Sequence, residues 1–351
     1  MHPFSIKRRQ TIALGAALAV STSTNLSHAQ SSFDRAKLIE AARKEGKLVF
    51  YSTIPEEQNN EILKRFQKKY PFIDTSSFRA TSGRLAARLD AEIAAGKVYG
   101  DVLQMGAFGR FIGYAKAGNF ERFDTPEMAA YEPSMKDQGL WTVFRVSPIL
   151  IAYSSERVAD KDAPTSWADL TNPKFKGRVN LLDATSGGQQ AHWYQVRQYL
   201  GPNYWKQVSS NGAVALSGAN RAMDAVLTGE YDVAGHTYGY VVNSYLKKNA
   251  PIKQVIPKDG VPIMISPISI LKGGPNPNAA RLFVDWILSR EGQIEIVDVM
   301  NDYSPRADAP SPKGLPPYKD LKILTPNSWE SLANSEQEFG QEWTSLFVKK
   351  Q

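Results

Sequence analysis

The residues best placed to do chemistry are hydroxyls, glycines and arginines at turns that open helices. Phe78 to Gly96 reads F-R-A-T-S-G-R-L-A-A-R-L-D-A-E-I-A-A-G. Leu85, Leu89 and Ile93 recur at i, i+4 and i+8, and Gly96 stands where a C′ glycine closes a helix. Thr81 or Ser82 can cap the helix start, which is the plain structural role of such a turn. The chemical role is anion binding. A first turn offers unpaired N–H donors at the positive end of the helix dipole, and Gly83 lets a ligand approach the backbone. A second copy, Thr185-Ser186-Gly187-Gly188, follows a strand over Val179 to Asp183 and precedes a helix from Gln189 to Leu200. A third relative, Ser217 to Arg221, leads into a helix that Gly229 closes. Arg84 and Arg221 each fall in a first turn, a poor place for a cation unless an anion is bound there.

These turns need a scaffold that makes them face one another. The unit of helix, glycine and Asp-Val strand occurs twice, at Gly96 with Asp101-Val102 and at Gly229 with Asp232-Val233, and predicts two similar α/β lobes. The first lobe opens as strand, helix, strand: Leu48 to Tyr51, Glu56 to Lys69, Ile73 to Phe78. Short connections of that kind predict a parallel sheet, with Thr53, Ser82 and Met105-Gly106 beyond the carboxyl ends of its strands, where ligands bind. Two extended apolar runs, Val143 to Tyr153 and Ile263 to Leu271, carry Pro148 and Pro267 and read as hinge crossings at sheet edges. The expected division is a signal over 1–29, a first lobe over 30–147 plus about 268–306, and a second over 148–267 plus about 307–351 with C-terminal helices.

Composition excludes several function classes. In 351 residues, 42% are hydrophobic and 11% aromatic, which is globular. Lys7, Arg8 and Arg9, the apolar run Ile12 to Val20 and Ser27-His28-Ala29 form an export signal cleaved near Ala29, so an exported product is expected. Removing its three basic residues from 42 Lys and Arg, against 35 Asp and Glu, leaves +4, mild attraction for anions without a nucleic-acid surface. Zero cysteines exclude disulfides, thiolate metal sites and a cysteine nucleophile. Outside the signal only His192 and His236 remain, and no G-x-S-x-G, H-E-x-x-H, P-loop or G-x-G-x-x-G pattern occurs. A non-enzyme without cofactor is the expectation; the alternative is a secreted hydrolase pairing His236 with a turn serine.

Several segments in order carry a family resemblance: Tyr51-Ser52 with Phe66-Gln-Lys-Lys-Tyr-Pro71, then Pro164-Thr-Ser-Trp-Ala-Asp-Leu-Thr-Asn-Pro-Lys-Phe-Lys-Gly177, then Leu271-Lys-Gly-Gly-Pro-Asn-Pro-Asn-Ala-Ala-Arg-Leu-Phe283, with Ser289 to Gln293 and Ser304-Pro-Arg306 after them. Across nearly the whole mature chain it resembles a periplasmic solute-binding protein of an ABC importer, in the branch with ferric-ion, phosphorylated-sugar, phosphonate and thiamine binders. The resemblance implies the two-lobe type 2 periplasmic-binding-protein fold, two lobes closing on a solute, and an inner-membrane permease as partner of a monomer. Ferric binders of this branch carry two adjacent tyrosines as iron ligands where Tyr238 and Tyr240 stand, here separated by Gly239. The expected ligand set is therefore Thr53, Ser82, Gly83, Arg84, Ser186, Gly187, Arg221, Tyr238 and Tyr240, holding a carboxylate, phosphate ester or phosphonate; ferric ion on the tyrosines is the alternative. A sensor that signals to a membrane receptor is a third reading.

Overall fold

The computed structural model describes residues 33–137, 139–185 and 187–348, so the export signal and Ser186 lie outside the described residues. The chain forms α1 (Arg35–Glu45), β1 (Lys47–Ser52), α2 (Glu56–Lys69), β2 (Asp74–Arg79), α3 (Ser82–Ala94), β3 (Val102–Gln104), α4 (Phe108–Lys116) and β4 (Phe120–Glu121). After β5 (Lys136–Asp137) and the long β6 (Trp141–Ser154) come β7 (Val179–Leu182), α5 (Gln189–Leu200), α6 (Tyr204–Ser210), β8 (Val214–Leu216) and α7 (Ala219–Leu227). Then follow β9 (Val233–Tyr238), α8 (Gly239–Leu246), β10 (Ile252–Val255), β11 (Val261–Leu271), α9 (Pro277–Leu288), α10 (Arg290–Met300), β12 (Ile323–Leu324), α11 (Trp329–Asn334) and α12 (Glu336–Phe347).

Local chemistry accounts for many boundaries. Asp34 caps α1 through the Lys37 amide at 3.0 Å, and Gly46 ends it in the left-handed region at φ 66°. Gly96 and Gly229 adopt φ 67° and 82° just beyond α3 and α7, as their positions after apolar periodic runs require. The strands hydrogen-bond in the order β2-β1-β3-β11-β6-β9-β7-β8. β1 is parallel to β2 and β3, and β7 is parallel to β8 and β9, so each end of this path is a parallel α/β layer. The duplicated aspartates do different work: Asp101 accepts from the Val49 and Asn276 amides, while Asp232 takes Arg157 and Arg178.

One expectation is corrected. The proline-bearing strands β6 and β11 are central, paired antiparallel to each other and flanked on both sides. Pro148 and Pro267 are tolerated because each falls where the ladder breaks. Pro267 follows a register shift at Ser266, and Pro148 stands where β6 leaves Ile263 of β11 and takes up β9 at Ile149. One apolar core surrounds Trp167, Trp193 and Trp205; another surrounds Tyr51, Phe111 and Trp141. The C-terminal helices touch both, with Trp329 on Phe108 at 5.7 Å and Phe339 on Trp193 at 5.5 Å between ring centres.

A charge pair is buried in these central strands. Arg145 on β6 donates to Asp302 at 3.1 Å and to the Ser266 hydroxyl of β11 at 2.9 Å, and Ser147 donates to the same carboxylate at 2.6 Å. Arg145 is 4% exposed and Asp302 0%. Breaking such a pair strands a buried charge, whereas removing both members does not. Asp302→Leu is therefore expected to cost about 3–5 kcal/mol in urea unfolding, with most of the loss recovered by adding Arg145→Met. An Asp302→Leu variant as stable as the parent would show that the pair carries no such weight.

Candidate functional site

Residues of both Thr-Ser-Gly turns line one cavity of about 680 Å³. From one side it is lined by Thr81, Ser82, Gly83 and Arg84 at the start of α3, with Arg110 of α4. Thr185, Gly187 and Gln190 line it from the other, and α12 closes an end with Glu336 and Phe339. Contrary to the capping expectation, Thr81 precedes α3 with no side-chain bond to the helix, so its hydroxyl takes none of the first-turn N–H donors. Nor does the Ser82 hydroxyl bond to any described residue. Arg84 and Arg110 are exposed and make no ion pair among the described residues, whereas Arg88, one turn on from Arg84, pairs with Glu92 at 2.8 Å. Nothing lies within 4 Å of a Cβ built on Gly83, and at Gly187 the nearest atom is the Gly106 carbonyl carbon at 3.8 Å.

The remaining predicted residues are placed around this cavity or away from it. Thr53 does not line it but shapes its surroundings. Its amide and hydroxyl donate to Gln104 at 3.0 and 3.1 Å, and its Oγ1 accepts from the Gly106 amide at 3.1 Å, which fixes the loop that faces Gly187. Tyr238 ends β9 and is buried; its hydroxyl lies 3.9 Å from the Met264 sulfur, and a side chain at Gly188 would overlap that hydroxyl. There is no loop after β9, because α8 starts at Gly239 and puts Tyr240 in its first turn. Tyr240 stacks on Tyr238 at 5.4 Å and 12°, lies 5.9 Å from the Arg145 guanidinium, and lines a second cavity of about 490 Å³ with Gln58, Asn243 and Asn301. Burial pushes its phenol well up. Arg221 does not come to the first cavity; it is exposed and paired with Glu230 at 2.6 Å. Arg110, missed in the sequence, carries the signal that singled out Arg84: it is the third residue of its helix.

The two histidines are partners of each other. His192 Nδ1 and His236 Nδ1 lie 3.0 Å apart, both rings are fully buried, and neither Nε2 has a partner. Trp167 and Trp205 flank His192 at 4.4 and 5.0 Å, and Tyr238 abuts His236 at 5.1 Å. Burial holds both imidazoles neutral, His236 down to about 3 and His192 well below its ordinary value, helped by its neighbour. His236 thus bonds to an imidazole within an apolar core and, among the described residues, to no serine.

Two α/β layers strung on a pair of central antiparallel strands build the type 2 periplasmic-binding-protein fold. The model of the bacterial extracellular solute-binding protein family matches residues 99–332, and the chain belongs to that family. It is 25% identical over 245 residues to a probable ABC transporter periplasmic-binding protein of Sinorhizobium fredii, covering 62% of this chain and 64% of that one. To the Fe(3+)-binding periplasmic protein of Serratia marcescens it is 27% identical over 213 residues, covering 58% and 63%. Among solved structures, the periplasmic binding protein AfuA of Actinobacillus pleuropneumoniae, with fructose-6-phosphate bound, matches at TM-score 0.74 and 23% identity, covering 87% of this chain and 99% of that one.

The histidine pair sets a pH dependence. Because the folded state holds both rings neutral while the unfolded chain protonates them near 6.5, their contribution is complete above that pH and is lost as pH falls toward about 3. Asp302 acts in the opposite sense: burial raises it to about 6, so its folded form favours the proton between there and 3.8. Unfolding free energy is expected to fall by up to ~1.4 kcal/mol per pH unit for each imidazole below pH 6.5, less the Asp302 term. His192→Gln with His236→Gln should flatten that slope in denaturant titrations from pH 7 to 4. An unchanged slope would place the acid sensitivity elsewhere.

Proposed function

We propose that this protein is the exported, periplasmic substrate-binding component of an ABC importer, and that it captures a small organic anion, a carboxylate, phosphate ester or phosphonate, for delivery to an inner-membrane permease. The observation that carries the anion is the pair Arg84 and Arg110, both without ion pairs among the described residues, beside the start of α3, which the Thr81 side chain does not cap, in the cavity that Gly187 lines from the other side. A helix start and unpaired guanidiniums each favour negative charge. A few charge-assisted hydrogen bonds of about 1.5–3 kcal/mol each reach the ~8 kcal/mol of micromolar binding once association costs are met. Capture proceeds by rocking of the two lobes about β6 and β11, and the protein acts as a monomer. Binding needs no covalent step.

Ferric ion is the second reading, supported by the position of Tyr238 and Tyr240 and by the Serratia relative. Hard phenolate oxygens suit it. Two features weigh the other way. Burial holds the Tyr240 proton tightly, and among the described residues no three His, Asp or Glu side chains cluster so as to complete a ligand set.

Gly83→Asp and Gly187→Asp separate the readings. Both sites have room for a side chain and neither has a positive φ, so melting temperature should stay within a few degrees of the parent. A carboxylate there occupies the ligand's charge position, and affinity for an organic anion found by thermal-shift screening should drop by about a hundredfold or more in calorimetry. Parent-like affinity in both variants, or binding that vanishes with chelator and returns with ferric ion, would overturn the anion and restore iron.

A further inference from the structure

Glu336, the first residue of α12, lines the same cavity as Arg84 and Arg110 and yet bonds to neither. Its carboxylate makes no hydrogen bond or ion pair with any described residue. It lies over the first turn of α4, with Oε2 3.6 Å from a Cβ built on Gly109, where the helix dipole favours negative charge. Its helix start is pinned, since Gln190 of α5 donates to the Leu332 carbonyl at 2.7 Å and to the Ser335 hydroxyl at 3.2 Å. One helix pair away, exposed charges do find each other: Lys116 of α4 reaches Glu330 of α11 at 2.7 Å. The three charges thus line one cavity with no ion pair among them, and the buried Phe339, one turn beyond Glu336, adds an apolar wall.

A ligand that is only anionic satisfies the arginines and is repelled by Glu336. A ligand carrying both signs satisfies all three. Building on the anion-capture reading above, we infer that the solute is amphoteric, with an acid group at Arg84, Arg110 and the start of α3 and a protonated amine toward Glu336. Glu336 is then the residue that selects amino-bearing anions over their plain analogues, through an attraction for one and a repulsion for the other.

Calorimetry with phosphoethanolamine and ethyl phosphate, which differ by the ammonium group, tests this on the parent, on Glu336→Gln and on Arg84→Ala/Arg110→Ala. The parent should bind phosphoethanolamine about tenfold tighter. In Glu336→Gln the two should move in opposite directions, phosphoethanolamine weaker and ethyl phosphate tighter, by roughly fivefold each; the double arginine variant should lose both. If both probes tighten alike in Glu336→Gln, or the parent does not prefer phosphoethanolamine while the arginine variant still loses both, the amphoteric ligand is overturned and the anion site stands. If neither the parent nor the arginine variant binds either probe, both readings fall.

Discussion

The antiparallel pairing of β6 with β11 is the constraint on which the other parts depend. Both strands are buried along their whole length, fourteen residues of one and eleven of the other, yet they must serve two separate parallel layers. They do so by changing partners partway, and Pro148 and Pro267 mark the changes because a residue without an N–H loses least where the ladder is already broken. The cost is a polar seam in the middle of an apolar sheet. Arg145, Ser147, Ser266 and Asp302 fill it with a network that satisfies the guanidinium but leaves Asp302 Oδ1 without a partner. A buried, partly satisfied charge pair is weak evidence of stability and a good means of fixing register. Here it ties the central strands to the residues that follow α10, next to the tyrosines of β9 and α8.

From that seam the geometry of the cavity follows. Parallel layers present their strand ends and helix starts to the same side. The loops after β1, β3 and β7 therefore meet, with Gln104 bracing Thr53, Thr53 bracing Gly106, and Gly106 facing Gly187. Glycine at 188 is required by packing, since Tyr238 fills the space a side chain would need. The charges around the cavity make no ion pair among the described residues. That distinguishes Arg84 from Arg221, which begins a helix in the same way but finds Glu230 nine residues on.

Much of this was legible in the sequence, for physical reasons that can be named. Gly96 and Gly229 told where helices end, because a left-handed residue is needed there. Periodicity gave α2, α3 and α5, and the repeated helix-Gly-Asp-Val unit gave two layers. Relations between residues far apart were not legible. Nothing in the spacing of Arg145 and Asp302, 157 positions apart, shows that they pair within the central strands. His192 and His236, 44 positions apart, likewise carry no sign of each other. Glu336 belongs to a C-terminal helix whose place at the cavity depends on tertiary packing of Phe339 and Trp343, and only the structure reveals it. Arg110 could have been found, had the argument applied to Arg84 been extended to the helix after Gly106.

The central claim is that negative charge is held where α3 begins, opposite Gly187, and not a metal on the tyrosines. Anomalous diffraction tests it most directly, with crystals soaked separately in tungstate and in ferric citrate and data collected at each metal's absorption edge. The account predicts a tungsten peak at the start of α3, placed so that the tungstate oxygens lie within hydrogen-bonding reach, about 3 Å, of the Ser82 and Gly83 amides and the Arg84 or Arg110 guanidinium. An iron peak bonded to the Tyr238 and Tyr240 hydroxyls, with no tungsten at the start of α3, would contradict it.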